Sequence, residues 1–137
     1  LRVFGFESDK EILAITKDLK LPIEDNLLYQ TLEKDTIKNV REAYQSVYKK
    51  IRPGDMATPE NAKSLIDSMF FDFKRYDIGP IARYKLNKRF NVKTKNNNDG
   101  RILRKDDFAS IIRELVRLNA EGGKKDDIDH LANRRIR

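Results

Sequence analysis

Residues 126–135, DDIDHLANRR, place three carboxylates (Asp126, Asp127, Asp129), the chain's only histidine (His130) and two adjacent arginines (Arg134, Arg135) within ten positions. Such a set can hold a divalent cation, contact nucleic acid, or cancel its own charge on a surface. Lys124, Lys125, Arg134, Arg135 and Arg137 flank the aspartates, so neutralising salt bridges are a simpler account than a metal cage. His130 has no Ser or Cys partner pattern, and a lone histidine is more often structural than catalytic. The run NNNDG resembles a calcium loop only superficially. With Gly100 at the sixth position, Lys95 falls where the first carboxylate must be. No phosphate-binding glycine loop or nucleophile motif is present. Residue chemistry therefore predicts no catalytic group, metal site or cofactor in this chain.

A second candidate is electrostatic. The 137 residues carry 29 Lys/Arg against 22 Asp/Glu, a net charge of +7, which favours a polyanionic partner, most simply nucleic acid. The charge is unevenly spread. Residues 1–35 hold 5 basic against 8 acidic side chains, whereas residues 74–105 hold 11 against 2. Within that stretch, KRYDIGPIARYKLNKRF interleaves cations with Tyr76, Tyr84 and Phe90, a mixture suited to phosphates plus stacking on unpaired bases. The bland alternative is a solvated helix face with Tyr84 turned into the core.

The elements that must position these residues read as mostly helical, with long loops and little or no β-structure. Ser8 with Glu11 three residues on is a capping box. Ile37, Val40, Tyr44, Val47, Tyr48 and Ile51 recur at helical spacing, predicting a helix from Thr36. Pro53–Gly54 marks a turn, and Thr58–Pro59 starts a helix with the stripe Ala62, Leu65, Ile66, Met69 and Phe70. Pro80 opens IARYKLNKRF, NVKTKNNNDGRI reads as an exposed, disordered connection, and RKDDFASIIRELVRLN is the last helix, stopped by Gly122–Gly123. Residues 124–137 read as a loop and return strand. With 37% charged residues and a mean hydropathy of −0.72, the core is expected to be thin or shared. The chain has no cysteine, which fits a reducing compartment. No apolar run approaches the roughly 20 residues that span a membrane, no signal-peptide pattern opens the sequence, and Leu1 in place of Met is expected of a piece of something longer.

Three blocks carry a closer resemblance: TLEKDTIKNVREAYQSVYKKIRPGD, ENAKSLIDSMFFDFKRYDIGPIARYKLNKRF and DDIDHLANRRIR, with LRVFGF ahead of them. They are collinear and resemble the bacterial RNA polymerase β subunit family, in the C-terminal part of its second lobe. The resemblance implies one partial lobe domain over 1–137, with an acidic helical segment at 1–35, a basic helical body at 36–120 and a return segment toward the first lobe at 121–137. It implies a cytoplasmic parent enzyme that makes RNA on a DNA template, with Mg2+ held by another subunit. It also implies a fragment that lines the downstream DNA channel without doing chemistry. The implied partners are DNA, the rest of β, β′ and sigma factor, with no membrane.

Three sets of residues carry over. RPGDMA at 52–57 stands at the family's gate loop, where Glu-Pro-Pro commonly follows Arg-Pro-Gly; here Asp55, Met56 and Ala57 do, so the loop should be less rigid. Arg52 keeps its charge for nontemplate DNA. In the second block Arg75, Arg83, Lys85 and Lys88 are implied backbone contacts, although some must pair with carboxylates of the lobe. In the third, Ile128, Asp129 and Arg134 match a pocket for one unstacked nontemplate guanine, and Arg137 joins the DNA-contacting set. A flipped guanine exposes N1–H and N2–H2 donors that a carboxylate accepts. Ala132 stands where a glycine is usual. From the residues alone, a free-standing basic helical module that binds nucleic acid or an acidic protein remains the alternative.

Overall fold

The computed structural model describes residues 1–123, in which every regular element is helical. The six α-helices are α1 (Asp9–Ala14), α2 (Leu27–Lys34), α3 (Val40–Ile51), α4 (Pro59–Phe70), α5 (Gly79–Phe90) and α6 (Lys105–Glu121). Short 3-10 turns at Arg2–Phe4, Lys17–Leu19, Ile23–Asp25 and Asp99–Arg101 join or precede them. The return strand expected after Gly123 lies outside the described residues.

Local chemistry sets most helix starts. Ser8 Oγ accepts from Glu11 N at 3.2 Å while Glu11 Oε2 accepts from Glu7 N at 2.7 Å, satisfying amides that the first helical turn leaves unpaired. Thr58 caps α4 through Asn61 N, with Pro59 at the first position. α3 begins at Val40, four residues later than its periodicity predicts. Asn39 Oδ1 accepts from Glu42 N at 2.8 Å, and Asp35 Oδ1 already holds Ile37 N at 3.0 Å outside the helix. Side-chain capping competes with helix continuation, and here it prevails.

The interior divides into two small clusters. Phe6, Ile12, Leu28 and Val116 join α1, α2 and α6, while Val3, Ala43 and Ile66 pin the N-terminal turn against α3 and α4. Burying one isoleucine as fully as Ile66 (0% exposed) stabilises by about 1.5–3 kcal/mol. Phe4 spans both clusters: its ring stacks on Phe108 at 3.9 Å between centroids and meets Phe70 edge-on at 5.3 Å. Arg2 secures the same turn, donating to Ile37 O at 3.1 Å and pairing with Asp9. The core is thin, as the high charge content requires. No helix of the described residues is long and apolar enough to cross a membrane.

Candidate nucleic-acid interface

α5 carries the centre of the basic stretch. Its start is set by backbone chemistry: Gly79 has φ +78, a conformation L side chains rarely adopt, and its N–H donates to Asp77 Oδ1 at 2.7 Å. Pro80 follows in the first turn, where its missing N–H costs no helical bond. The Arg101 guanidinium grips Asp77, with Nε at 2.9 Å from Oδ1, and Arg101 O accepts from Ile78 N at 3.1 Å. These contacts tie the head of α5 to the turn before α6. The Arg101 hydrogen bond also holds the Asp77 carboxyl below its ordinary pKa.

The fate of Arg83 corrects its expected role. The side chain is 0% exposed; Nη1 meets Asp107 Oδ1 at 2.7 Å, Nη2 meets Oδ2 at 2.9 Å, and Nη2 also reaches Ile102 O at 3.2 Å. A guanidinium without exposed surface and with both faces of its fork occupied does not reach a phosphate, so Arg83 is a structural cation. Burial pushes the Asp107 carboxyl up. The hydrogen bonds from Arg83 and the Arg104 amide, with both positive charges, more than offset this, and its pKa lies below the ordinary value. Arg83 Nε has no hydrogen-bond partner among the described residues, one cost of so deep a placement.

Other cations of 74–105 are also engaged. Arg89 and Arg117 converge on Glu114, each at 2.9 Å, which draws the Glu114 pKa down to about 2. The leading cause is the Arg117 hydrogen bond; partial burial opposes it and Arg89 adds to it. Lys105 pairs with Glu11 at 3.4 Å, Arg104 lies 3.9 Å from Asp107, and Arg75 lies 3.9 Å from Asp72. Asp72, Asp107, Glu114 and Glu11 all come from outside the stretch, so its sequence charge overstates the field it presents.

The remaining expected contacts are distributed unevenly. Arg75 is exposed on the loop before α5 and Lys88 is exposed in the last turn of α5, while Lys85 is half-buried one turn earlier. Tyr84 is 64% exposed and Ile81 48%, so Tyr84 is not a core residue. Ile81, Tyr84 and Lys88, at three- and four-residue intervals, share one helix face. Arg52 stands apart, exposed at the C-terminal end of α3. The turn after it carries Gly54 at φ +98 and Met56 at 82% exposure, and Gln45 Nε2 holds Ala57 O at 3.1 Å. Ile128, Asp129, Arg134 and Arg137, with His130, lie outside the described residues. Among the described residues no group of three or more His, Asp or Glu is placed to hold a metal ion.

The segment expected to be an exposed, disordered connection is largely exposed, as expected, but it is ordered by its own hydrogen bonds. Asn87 Nδ2 donates to Thr94 O at 2.7 Å, Arg104 Nη2 to Thr94 Oγ1 at 3.0 Å, and Gly100 N to Asn97 Oδ1 at 3.0 Å. A Cβ on Gly100 would lie 1.7 Å from Lys95 O, so only glycine lets the two backbones touch there. Polar side chains that read as disorder in sequence are spent here on the loop's own backbone. Sequence reasoning passed over Lys93, Lys95 and Arg104 in this loop; the alternation Lys93-Thr94-Lys95 was the available signal.

These features define a helical, charge-rich domain whose surviving surface cations are candidates for a polyanion. Residues 1–137 match the family described as RNA polymerase Rpb2, domain 2, and the chain belongs to that family. A DNA-directed RNA polymerase subunit beta from Syntrophomonas wolfei is 39% identical over 137 residues, all of this chain. Subunits of the same description from Dehalococcoides mccartyi and Bacteroides thetaiotaomicron are 36% identical over 138 residues and 37% over 131, covering 100% and 96% of the chain. The chain spans only 10–12% of the length of these relatives.

Proposed function

We propose that this chain acts as a lobe domain of a bacterial DNA-directed RNA polymerase β subunit, lining the downstream DNA channel and contacting the nontemplate strand. The observation that carries the reading is the match to one domain of that subunit across residues 1–137. The parent enzyme transfers nucleotidyl groups in the cytoplasm, with Mg2+ bound by another subunit, and β′, sigma factor and the rest of β surround the domain. The domain positions DNA and does no chemistry of its own.

In this reading Arg52, Arg75, Lys85 and Lys88 meet phosphates, and Tyr84 lies on the same face of α5 as Lys88, where an unpaired base can stack. Ile128, Asp129 and Arg134 receive one flipped guanine, Asp129 accepting from its Watson–Crick edge, and Arg137 supports the strand. Arg83 serves indirectly, by fixing α5 to α6. The test uses polymerase assembled from full-length subunits. Lys88→Glu together with Arg75→Glu should shorten the lifetime of promoter complexes severalfold, and Asp129→Ala should weaken the preference for guanine at the downstream edge of the bubble. Unchanged lifetimes together with unchanged base preference would contradict the reading.

A further inference from the structure

We infer that the hollow framed by residues 92–104 is a binding site for a phosphate group. The hollow has a volume of about 430 Å³ and is lined by Lys93, Thr94, Lys95, Asn97, Asp99 and Arg104, among others. That volume lies within the range of about 300–1,000 Å³ typical of small-molecule sites. Its walls are built. Thr94 is held on one side by Asn87 and on the other by Arg104, and Asn97 both caps Gly100 N and accepts from Arg101 N through its carbonyl at 3.0 Å. The close backbone approach of Gly100 to Lys95 O joins two of the lining residues.

The lysines of this hollow differ from the cations of the basic stretch that hold the fold. Arg75, Arg83, Arg89, Arg101 and Lys105 each meet a carboxylate. Lys93 and Lys95 are exposed and lie on the same hollow with no carboxylate of the described residues paired to them. Arg104 is oriented by Thr94 and lies 3.9 Å from Asp107. Lys93, Lys95 and Arg104 face one lining carboxylate, Asp99, around the hollow, and although Asp107 draws on Arg104, the two lysines leave net positive charge for a phosphate. Charge-assisted N–H bonds from ammonium and guanidinium groups suit its oxygens, and the Asn97 and Thr94 side chains add polar surface beside them. The phosphate can belong to a free nucleotide or to the backbone of a nucleic-acid strand; its chemistry at the site is the same. The inference depends on the loop and its charges, not on the polymerase reading.

Lysine acetylation followed by mass spectrometry tests it on the full-length protein. The probes are adenosine, adenosine 5′-monophosphate and a short single-stranded deoxyoligonucleotide. Lys93 and Lys95 should react severalfold more slowly with a phosphate-bearing probe, while exposed Lys63 on α4 keeps its rate with all three. Protection by the monophosphate identifies a site open to free nucleotides, and protection by the oligonucleotide alone identifies a strand-backbone site. Lys95→Glu, a surface change that leaves the fold intact, should abolish the protection of Lys93. Absence of protection by both phosphate probes, equal protection by adenosine, equal slowing at Lys63, or undiminished protection of Lys93 in Lys95→Glu would overturn the inference.

Discussion

α4 and α5 are both twelve-residue helices with proline in the first turn, yet each buries a different kind of face. α4 buries Ala62 and Ile66, which pack with Val3 and Ala43. α5 buries Ala82 and Arg83 and is anchored to α6 by the Arg83–Asp107 and Arg89–Glu114 pairs. The apolar solution is insensitive to pH or salt. The ionic one spends cations that would otherwise face a polyanion, and it makes the seating of α5 conditional on carboxylates of α6. The basic stretch thus has two populations: cations that hold the fold, and cations such as Lys88 left at the surface.

The largest effect should come from breaking the buried pair. Asp107→Ala leaves Arg83 charged and unpaired, and urea titration of the protein should register a loss of about 3–5 kcal/mol. Replacing both partners, Arg83→Met with Asp107→Leu, should recover most of that loss, because two apolar side chains need no pairing. Equal losses for the single and double variants would mean that α5 is held by other contacts. On the apolar side, Ile66→Val should cost about 0.5–1.5 kcal/mol, with the same value at low and high salt.

Acid should separate the two regions further. Glu114 has its folded pKa depressed from 4.5 to about 2, and that of Asp107 is also lowered. A depressed folded pKa contributes stability that is fully present above the unfolded value and is lost as pH falls through the folded one. The melting temperature should therefore fall between about pH 4.5 and pH 2, and Glu114→Gln should flatten that fall. The smallest effect belongs to Tyr84→Ala. With its ring 64% exposed, stability should change by no more than about 0.5 kcal/mol, whereas binding to unpaired bases should weaken if the ring stacks on them.

How much of this was legible in the sequence depended on distance along the chain. The Ser8–Glu11 and Thr58–Pro59 starts and the stop at Gly122 are encoded within a few residues, and the structure has them where the pattern puts them. The mainly helical class follows from the same local signals. Arg83 and Tyr84 were readable only in part, because neighbouring positions on a helix differ by their outside partners. Asp107, 24 residues away, draws Arg83 inward and leaves Tyr84 to solvent. No periodicity reports that pairing. The loop at 92–104 was misread for a related reason, since Asn, Gly and Lys look alike whether they bind water or their own backbone. The resemblance located the family, but it could not sort structural from surface cations.

The division of the basic stretch is tested most directly by the salt dependence of DNA binding in the full-length protein. Each phosphate contact contributes a slope of roughly −0.9 to the logarithm of affinity against the logarithm of salt. Lys88→Gln should make that slope shallower by about 0.9, while the Arg83→Met, Asp107→Leu double variant should leave it unchanged. An unchanged slope for Lys88→Gln, combined with a shallower one for the double variant, would contradict the account.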